Sequence, residues 1–372
     1  MSSALTDLFP HPIVQAPMAG GVSVPQLAAA VCEAGGLGFL AAGYKTADGM
    51  YQEIKQLRSL TGGPFGVNLF MPQPEYPGAS TGSTRAANAA PPAGALEMYA
   101  HQLAGEAAWY ETELGDPDSG RDDGYETKLT VLLDNPVPVV SFHFGVPSRD
   151  VLDALRRAGT LTLVTATTAE EALAVERAGA DAVIAQGVEA GGHQGTHRDI
   201  PEADGSGTGL LSLVAQVRET VDIPIVAAGG IMRGSQIAAV MAAGASAAQL
   251  GTAFLATPES GANALHKQAL TDPLYARTEL TRAFSGRPAR GLVNRFVREH
   301  GPYAPAAYPE IHHLTAPLRK AAAKAGDPQG MALWAGQGHR MARDVPAGQL
   351  VEVLVAELEE ARAALSAGGG LR

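Results

Sequence analysis

The chain has 372 residues, 46% of them apolar, and a mean hydropathy of +0.01, which supplies a sizeable core and excludes general disorder. Its 38 acidic residues outnumber 27 Lys and Arg, giving a formal charge of −11 with no basic cluster, which argues against a phosphate-backbone partner such as DNA. The one cysteine, Cys32, excludes an internal disulfide and fits a reducing cytoplasm, and MSSALTDLFPHP at the N-terminus lacks the charged and apolar segments of a secretory signal.

In chain order, short apolar runs predict strands at Ile13–Ala16, Leu37–Leu40, Phe65–Leu69, Pro138–Phe142, Leu161–Thr165, Ala182–Ala185, Pro224–Ala227 and Ala247–Leu250. Continuous rather than alternating hydrophobicity is what a parallel sheet covered on both faces requires. Ala-rich helices lie between them, and Ala-Gly pairs at 34–35, 158–159, 178–179 and 243–244 supply the left-handed residue that ends such a helix. The helix of Cys32, in LAAAVCEAGG, makes that thiol a buried structural one. Thr168 and Glu171 have the spacing of a capping box. The run Ile237–Ala256 carries no charge, but it is mostly Ala with Gly244, Ser246, Gln249, Gly251 and Thr252 inside it. It therefore reads as a buried helix, a turn and a buried strand rather than a membrane span.

Eight strands alternating with helices predict an α/β fold, a (β/α)₈ TIM barrel, with its site at the C-terminal strand ends. An open doubly wound sheet is the alternative, but neither GxGxxG nor GxxxxGK[ST] occurs. Two regions interrupt the rhythm. Residues 71–125 form an insertion, low in complexity at first and then helical in ALEMYAHQLAGEAAWYETEL. Residues 258–334 read as a mainly helical inserted substrate domain or lid. The expected organisation is thus a barrel over 1–257, the inserted unit over 258–334, and a closing segment over 335–372 that ends in an amphipathic helix.

The unusual residues gather at strand ends. Ala16, Pro17 and Met18 follow the first strand, Asn68 ends the third, and His143-Phe144-Gly145 follows the fourth. Gln186 and Glu189-Ala190-Gly191-Gly192-His193 follow the sixth, Gly229-Gly230 the seventh, and Gln249-Leu250-Gly251-Thr252 the eighth. Convergence on one rim is what a binding site needs. Glycine turns after the last two strands suit the phosphate cradle of barrels, or are simple turns. Asn68 and Gln186 each donate and accept, which suits the pyrimidine edge of a flavin, or else they serve local backbone. Ala16-Pro17-Met18 offers a flat face for a planar ring, or is an ordinary strand-to-loop turn. His193, bracketed by glycines, reads as a base or hydrogen-bond donor. His143 is a second candidate to touch substrate, and His197 is expected to face solvent. No metal site is expected, since His312 and His313 are adjacent and point apart.

IVQAPMAGG, GLGFLAAGYKT, FGVNLF, SFHFG, AQGVEAGGHQG, AAGGI, QLGTAFL, TRAFSGRPARGLVNRF and WAGQGHRMAR, in this order, resemble the nitronate monooxygenases, formerly called 2-nitropropane dioxygenases. EAGGHxG alone is shared with flavin-dependent enoyl-acyl-carrier-protein reductases and NADH:quinone reductases, whereas His143-Phe144-Gly145 favours the nitronate branch. The resemblance implies FMN held by Asn68, Gln186, Gly191, Gly230 and Gln249 through Thr252, with His193 near the flavin N5 as base or orienting group. It implies O₂-dependent oxidation of alkyl nitronates, propionate 3-nitronate among them, to a carbonyl compound and nitrite. The partners are then small molecules, with neither nucleic acid nor membrane. The alternatives are an NAD(P)H-dependent flavin reductase acting on quinones or enoyl thioesters, and a non-catalytic flavin- or phosphate-binding protein. PEYPGASTGSTRAANAAPPAGA does not map onto the family core, and the acidic, Gly-rich loop 196–209 is a candidate lid.

Overall fold

The apolar runs become strands because helices cover their outer faces while their own side chains fill the space inside. In the computed structural model, which describes residues 5–73, 92–201 and 205–367, eight strands form one parallel sheet. They are β1 (Ile13–Gln15), β2 (Gly38–Ala41), β3 (Phe65–Phe70), β4 (Val139–His143), β5 (Leu161–Ala166), β6 (Ala182–Gln186), β7 (Ile225–Ala228) and β8 (Ala247–Leu250). Neighbours run in sequence order from β2 to β8, and β1 pairs with β8 at Ile13–Ala248. The ring closes through one parallel bridge between Val14 and Leu37. Each boundary falls within a residue of the sequence expectation.

The barrel interior is filled by Val14, Leu37, Phe39, Val139, Leu163, Ile184 and Val226, and Leu5 and Phe9 from the segment before β1 join the same cluster. Gly66 makes room for Phe39, because a β-carbon there would lie 2.2 Å from the Phe39 ring. The expected helix stops are real: Gly35, Gly159, Gly179 and Gly244 have φ of +83°, +83°, +98° and +114°. Only half of the capping box forms. Thr168 accepts from the Glu171 amide, but the Glu171 carboxylate turns to Thr167 and the His197 amide. Cys32 is buried and donates to the Pro64 carbonyl at 3.1 Å, with burial raising its pKa to about 11. Residues 237–256 resolve into the end of the helix Gly234–Ala242, a turn, β8 and the short helix Thr252–Leu255. Among the described residues no helix is long and apolar enough to cross a membrane.

The two interruptions share one core. Helices Ala95–Gln102 and Ala104–Trp109 follow β3. They pack Tyr99 and Leu103 against Phe284, Phe296, Ile311, Leu314 and Leu318 of the later segment. The Tyr99 hydroxyl donates to the Ala283 carbonyl at 2.7 Å, and Glu106 pairs with Arg295. The later segment also holds a hairpin, Thr278–Thr281 with Ala289–Leu292, beside helices Arg295–His300 and Glu310–Lys324. Most of the low-complexity stretch, residues 74–91, lies outside the described residues, as does part of the candidate lid, 202–204. The last helix, Ala347–Ser366, packs on Gly234–Ala242, where a β-carbon on Gly234 would lie 2.3 Å from the Leu358 amide nitrogen.

Candidate functional site

At the C-terminal ends of the strands a cavity of about 350 Å³ opens beneath the second segment. It is lined by Ala16, Pro17, Met18, Asn68, His143, Gln186, Gly191, Gly192, His193, Gly229, Gly230, Gln249, Leu250, Gly251 and Thr252. These are all of the strand-end residues expected to hold a cofactor or touch substrate; of the others named there, Ala190 also lines the cavity, whereas Phe144, Gly145 and Glu189 do not. From the covering segment it gains Ser285, His312, Arg319 and Trp334, and from the loop after β2 it gains Tyr44.

Gln186 closes the loop that carries His193. Its Nε2 donates to the His193 carbonyl at 3.1 Å and its Oε1 accepts from the Gly195 amide at 2.7 Å. The loop can lie this close to the 334–338 segment only because residue 191 is glycine; a β-carbon there would lie 2.5 Å from the Gly336 nitrogen. Gly192, at φ +73°, then turns the chain so that Gly192–His193 pairs with Ala289 and Arg290 of the hairpin. The His193 Nε2 meets the Ser285 hydroxyl at 2.9 Å, and that hydroxyl donates onward to the Arg287 carbonyl at 3.2 Å. The Ser285 hydroxyl thus holds the imidazole by its Nε2 edge.

Phe144, Tyr308 and Trp334 surround the imidazole, with ring centroids 5.6, 5.6 and 5.7 Å away. Burial, helped by His143 and the nearby Arg287 and Arg319 guanidiniums, lowers the His193 pKa to about 3. His143 is lowered to about 3 as well, mainly by burial and then by Arg287, and its Nδ1 lies 3.2 Å from the Thr165 hydroxyl. Both rings are therefore neutral near pH 7. Gly195 makes room for His143, since a β-carbon at 195 would lie 2.6 Å from Cε1 of that ring.

A buried scaffold supports this wall. Arg287 is 1% exposed, lies 4.2 Å over the Phe144 ring, and donates to Gln73 and Thr196. Phe144 itself sits at φ +72°, an uncommon conformation for an aromatic residue. Tyr44 is stacked on His312 at 3.9 Å, and its hydroxyl meets that of Tyr308 at 3.1 Å. Burial raises the Tyr44 pKa to about 12, so this hydroxyl keeps its proton. The Tyr44 amide donates to Asp123, which is paired with buried Lys128.

Chemically the pocket mixes apolar and polar groups but carries no acid. No Asp or Glu lines it among the described residues, and Arg319 is its permanently charged group. Two atoms invite a ligand. The Gln249 Oε1 is buried with no hydrogen-bond partner among the described residues, and Asn68, only 4% exposed, uses Nδ2 on Ser141 while its Oδ1 accepts no hydrogen bond among them. A planar heterocycle with an imide N–H would satisfy such acceptors. Gly229 and Gly230, at φ +138° and +67°, line the pocket together with Gly251, where a ligand can come close to backbone.

One expectation is overturned. His197 is half-buried and its Nε2 lies 2.7 Å from the Thr165 carbonyl, because the loop folds back onto β5. His193 and His197 are four residues apart, yet their rings serve different partners and form no pair. His312 and His313 do diverge, one into the pocket and the other onto the Gly120 carbonyl at 2.9 Å. Glu106, Glu299 and His300 bring ligand atoms within 4.8 Å of one another, but Arg295 donates to both carboxylates and supplies the positive charge there.

A closed parallel barrel whose strand ends and covering segment together enclose a neutral imidazole and a carboxylate-free pocket is a TIM-barrel enzyme. The nitronate monooxygenase family model matches residues 2–357, and the chain belongs to that family of flavin-dependent oxidoreductases. It is 45% identical to the nitronate monooxygenase of Pseudomonas aeruginosa, over 95% of this chain and 99% of the relative. Its fold superposes on the nitroalkane oxidase of Streptomyces ansochromogenes with a TM-score of 0.92 and 81% identity, covering 98% of this chain and 100% of the other. FabK from Thermotoga maritima matches with a TM-score of 0.72 and 28% identity, over 99% of each chain.

Proposed function

We propose that this pocket binds FMN and that the enzyme oxidises alkyl nitronates with O₂ to a carbonyl compound and nitrite. The observation that carries the reading is the Ser285-held, neutral His193 in a pocket that also offers an unsatisfied, buried amide oxygen at Gln249. FMN, when bound, supplies the electron acceptor. Ala16, Pro17 and Met18 would face its ring, and Asn68, Gln186 and Gln249 its polar edge. Gly191 and Gly192 would flank it, while Gly229, Gly230, Leu250, Gly251 and Thr252 would hold its phosphate.

A nitronate is already deprotonated. His193 therefore orients it and balances its charge through hydrogen bonding, while Phe144, Tyr308 and Trp334 keep water from the imidazole. With a neutral nitroalkane, the neutral imidazole of His193 takes the α-proton. His143, also neutral, borders the same space and is placed to touch substrate. The barrel over 1–257 supplies the cofactor site, the 258–334 segment closes it over the substrate, and 335–372 completes the barrel wall. The names of the relatives support this activity, and the single buried thiol fits a cytoplasmic enzyme.

The test is the visible spectrum of the purified protein, followed by oxygen uptake with a nitronate. His193→Asn loses activity on neutral nitroalkane by about 100-fold or more, within the range for removal of a general base, and loses less on the nitronate. Equal rates for variant and parent on the nitroalkane would refute the role. Rapid flavin bleaching by NADPH without oxygen would favour the reductase instead, and bound FMN without nitronate turnover a binding protein.

A further inference from the structure

Tyr44 enters the cavity wall from a strained backbone. Its φ is +64°, a left-handed conformation that a bulky side chain rarely adopts and that persists only where neighbours hold it. The holder comes from the insertion. The Tyr44 amide donates to the Asp123 carboxylate at 2.9 Å. Lys128, only 1% exposed, donates to the same carboxylate at 2.7 Å and to the Ala42 carbonyl at 3.0 Å. The ring is clamped too, parallel to His312 with centroids 3.9 Å apart and edge-on to Phe70 at 5.4 Å. A side chain held at backbone and ring has little freedom left at its hydroxyl.

That hydroxyl lies 3.1 Å from the Tyr308 hydroxyl, and burial keeps both phenols protonated near pH 7. Two phenols bring two protons, and the bond between them uses one. Neither oxygen makes another hydrogen bond among the described residues. The two arrangements differ in where the spare proton ends. Tyr308 is 7% exposed and does not line the cavity, so a spare proton there would be buried with no acceptor, which is costly. Tyr44 lines the cavity, where a ligand can accept. No Asp or Glu lines that cavity among the described residues, so its own wall offers no carboxylate for the task.

We infer that Tyr308 donates to Tyr44, and that Tyr44 is a catalytic residue whose own O–H donates to an oxygen of the substrate's nitro group. This rests on the nitronate reading above. When His193 takes the α-proton of a nitroalkane, the C–H electron pair moves into the C–N bond and the negative charge arrives on the two nitro oxygens. His193 thus serves the carbon while Tyr44 serves an oxygen. A donor fixed in advance where charge develops stabilises the transition state more than the neutral ground state.

The experiment compares FMN-loaded parent, Tyr44→Phe and Tyr308→Phe on nitroethane and on its pre-formed nitronate, by oxygen uptake. Both substitutions keep the ring and remove only a hydroxyl. Calorimetric binding of nitrate, a planar anion with the O–N–O edge of a nitronate, is the readout apart from turnover. In Tyr44→Phe, kcat/KM on nitroethane falls about 10- to 100-fold, mostly in kcat. On the nitronate, whose charge is present from the outset, the loss appears in KM, with kcat changed less than about threefold. Nitrate binds about 10- to 100-fold more weakly. Tyr308→Phe costs less in every measurement, because Tyr44 keeps its proton for the ligand. Equal losses in the two variants, or unchanged nitrate binding in Tyr44→Phe, overturn the assignment. If the parent oxidises neither substrate, the proposed activity fails, while nitrate binding still decides the role of Tyr44.

Discussion

Four imidazoles in and around the pocket make the stability of the fold sensitive to mild acid. Burial lowers the pKa of His143 and His193 to about 3, of His266 to about 4 and of His312 to about 2, from an ordinary value of 6.5. In the unfolded chain these rings take up protons as pH falls through 6.5, whereas in the folded protein they stay neutral. Stability is therefore fully present above 6.5 and is lost progressively below it. Lowering the pH from 7 to 5.5 costs about 1.3 kcal/mol for each ring, or about 5 kcal/mol for all four. That is a large part of the ~5–15 kcal/mol that holds a typical domain. Urea unfolding at fixed, saturating flavin, repeated across this pH range, reads the loss as a falling midpoint. His266→Gln can keep the bond to the Trp334 carbonyl, now 2.9 Å from the His266 Nε2, and should flatten the decline by about a quarter. A midpoint that is level from pH 7 to 5.5, or a decline identical in His266→Gln, would refute this account.

Two further substitutions probe the His193 loop. Ser285→Ala removes the hydroxyl 2.9 Å from the His193 Nε2 and leaves that ring nitrogen without its partner, which costs about 1–3 kcal/mol and should lower kcat/KM on neutral nitroalkane by roughly 5- to 150-fold in steady-state assays. Gly191→Ala drives a β-carbon to 2.5 Å from the Gly336 nitrogen, so one backbone segment must retreat. The expected cost is about 1–3 kcal/mol, read as a lower melting temperature with weakened flavin retention. A variant that melts with the parent and holds flavin equally would show that the two segments are not in register.

The barrel was legible because its signals are local. An Ala-Gly pair at the close of an Ala-rich helical run specifies a left-handed helix end, and all four such glycines adopt it. An apolar run buried on both faces needs no knowledge of its neighbours to be read as a strand. The strand-end residues followed from this, since topology alone sends them to one rim. The far wall was hidden for the opposite reason. Ser285, Tyr308 and Trp334 lie outside regular helices and strands, His312 and Arg319 lie on a helix whose partner no local pattern names, and Ser285 reaches His193 across 92 positions of sequence. Gly192–His193 pairs as a strand of only two residues, too short to leave an alternating pattern. His197 misled because its partner is a main-chain carbonyl on β5, which no side-chain pattern can announce. Arg287 carries its own lesson: in sequence it is one more charged residue among prolines and glycines, and only tertiary packing seats it over Phe144.

The ladder from Ala289 and Arg290 to Gly192–His193 has a kinematic consequence. The roof of the chamber and the proposed base belong to one hydrogen-bonded ribbon, so the roof cannot swing outward without dragging the imidazole off its post or tearing that ribbon. Traffic of substrate and product must then pass beside the hairpin rather than under a raised flap. Any remodelling of the roof for a new substrate would be felt immediately at the reacting centre.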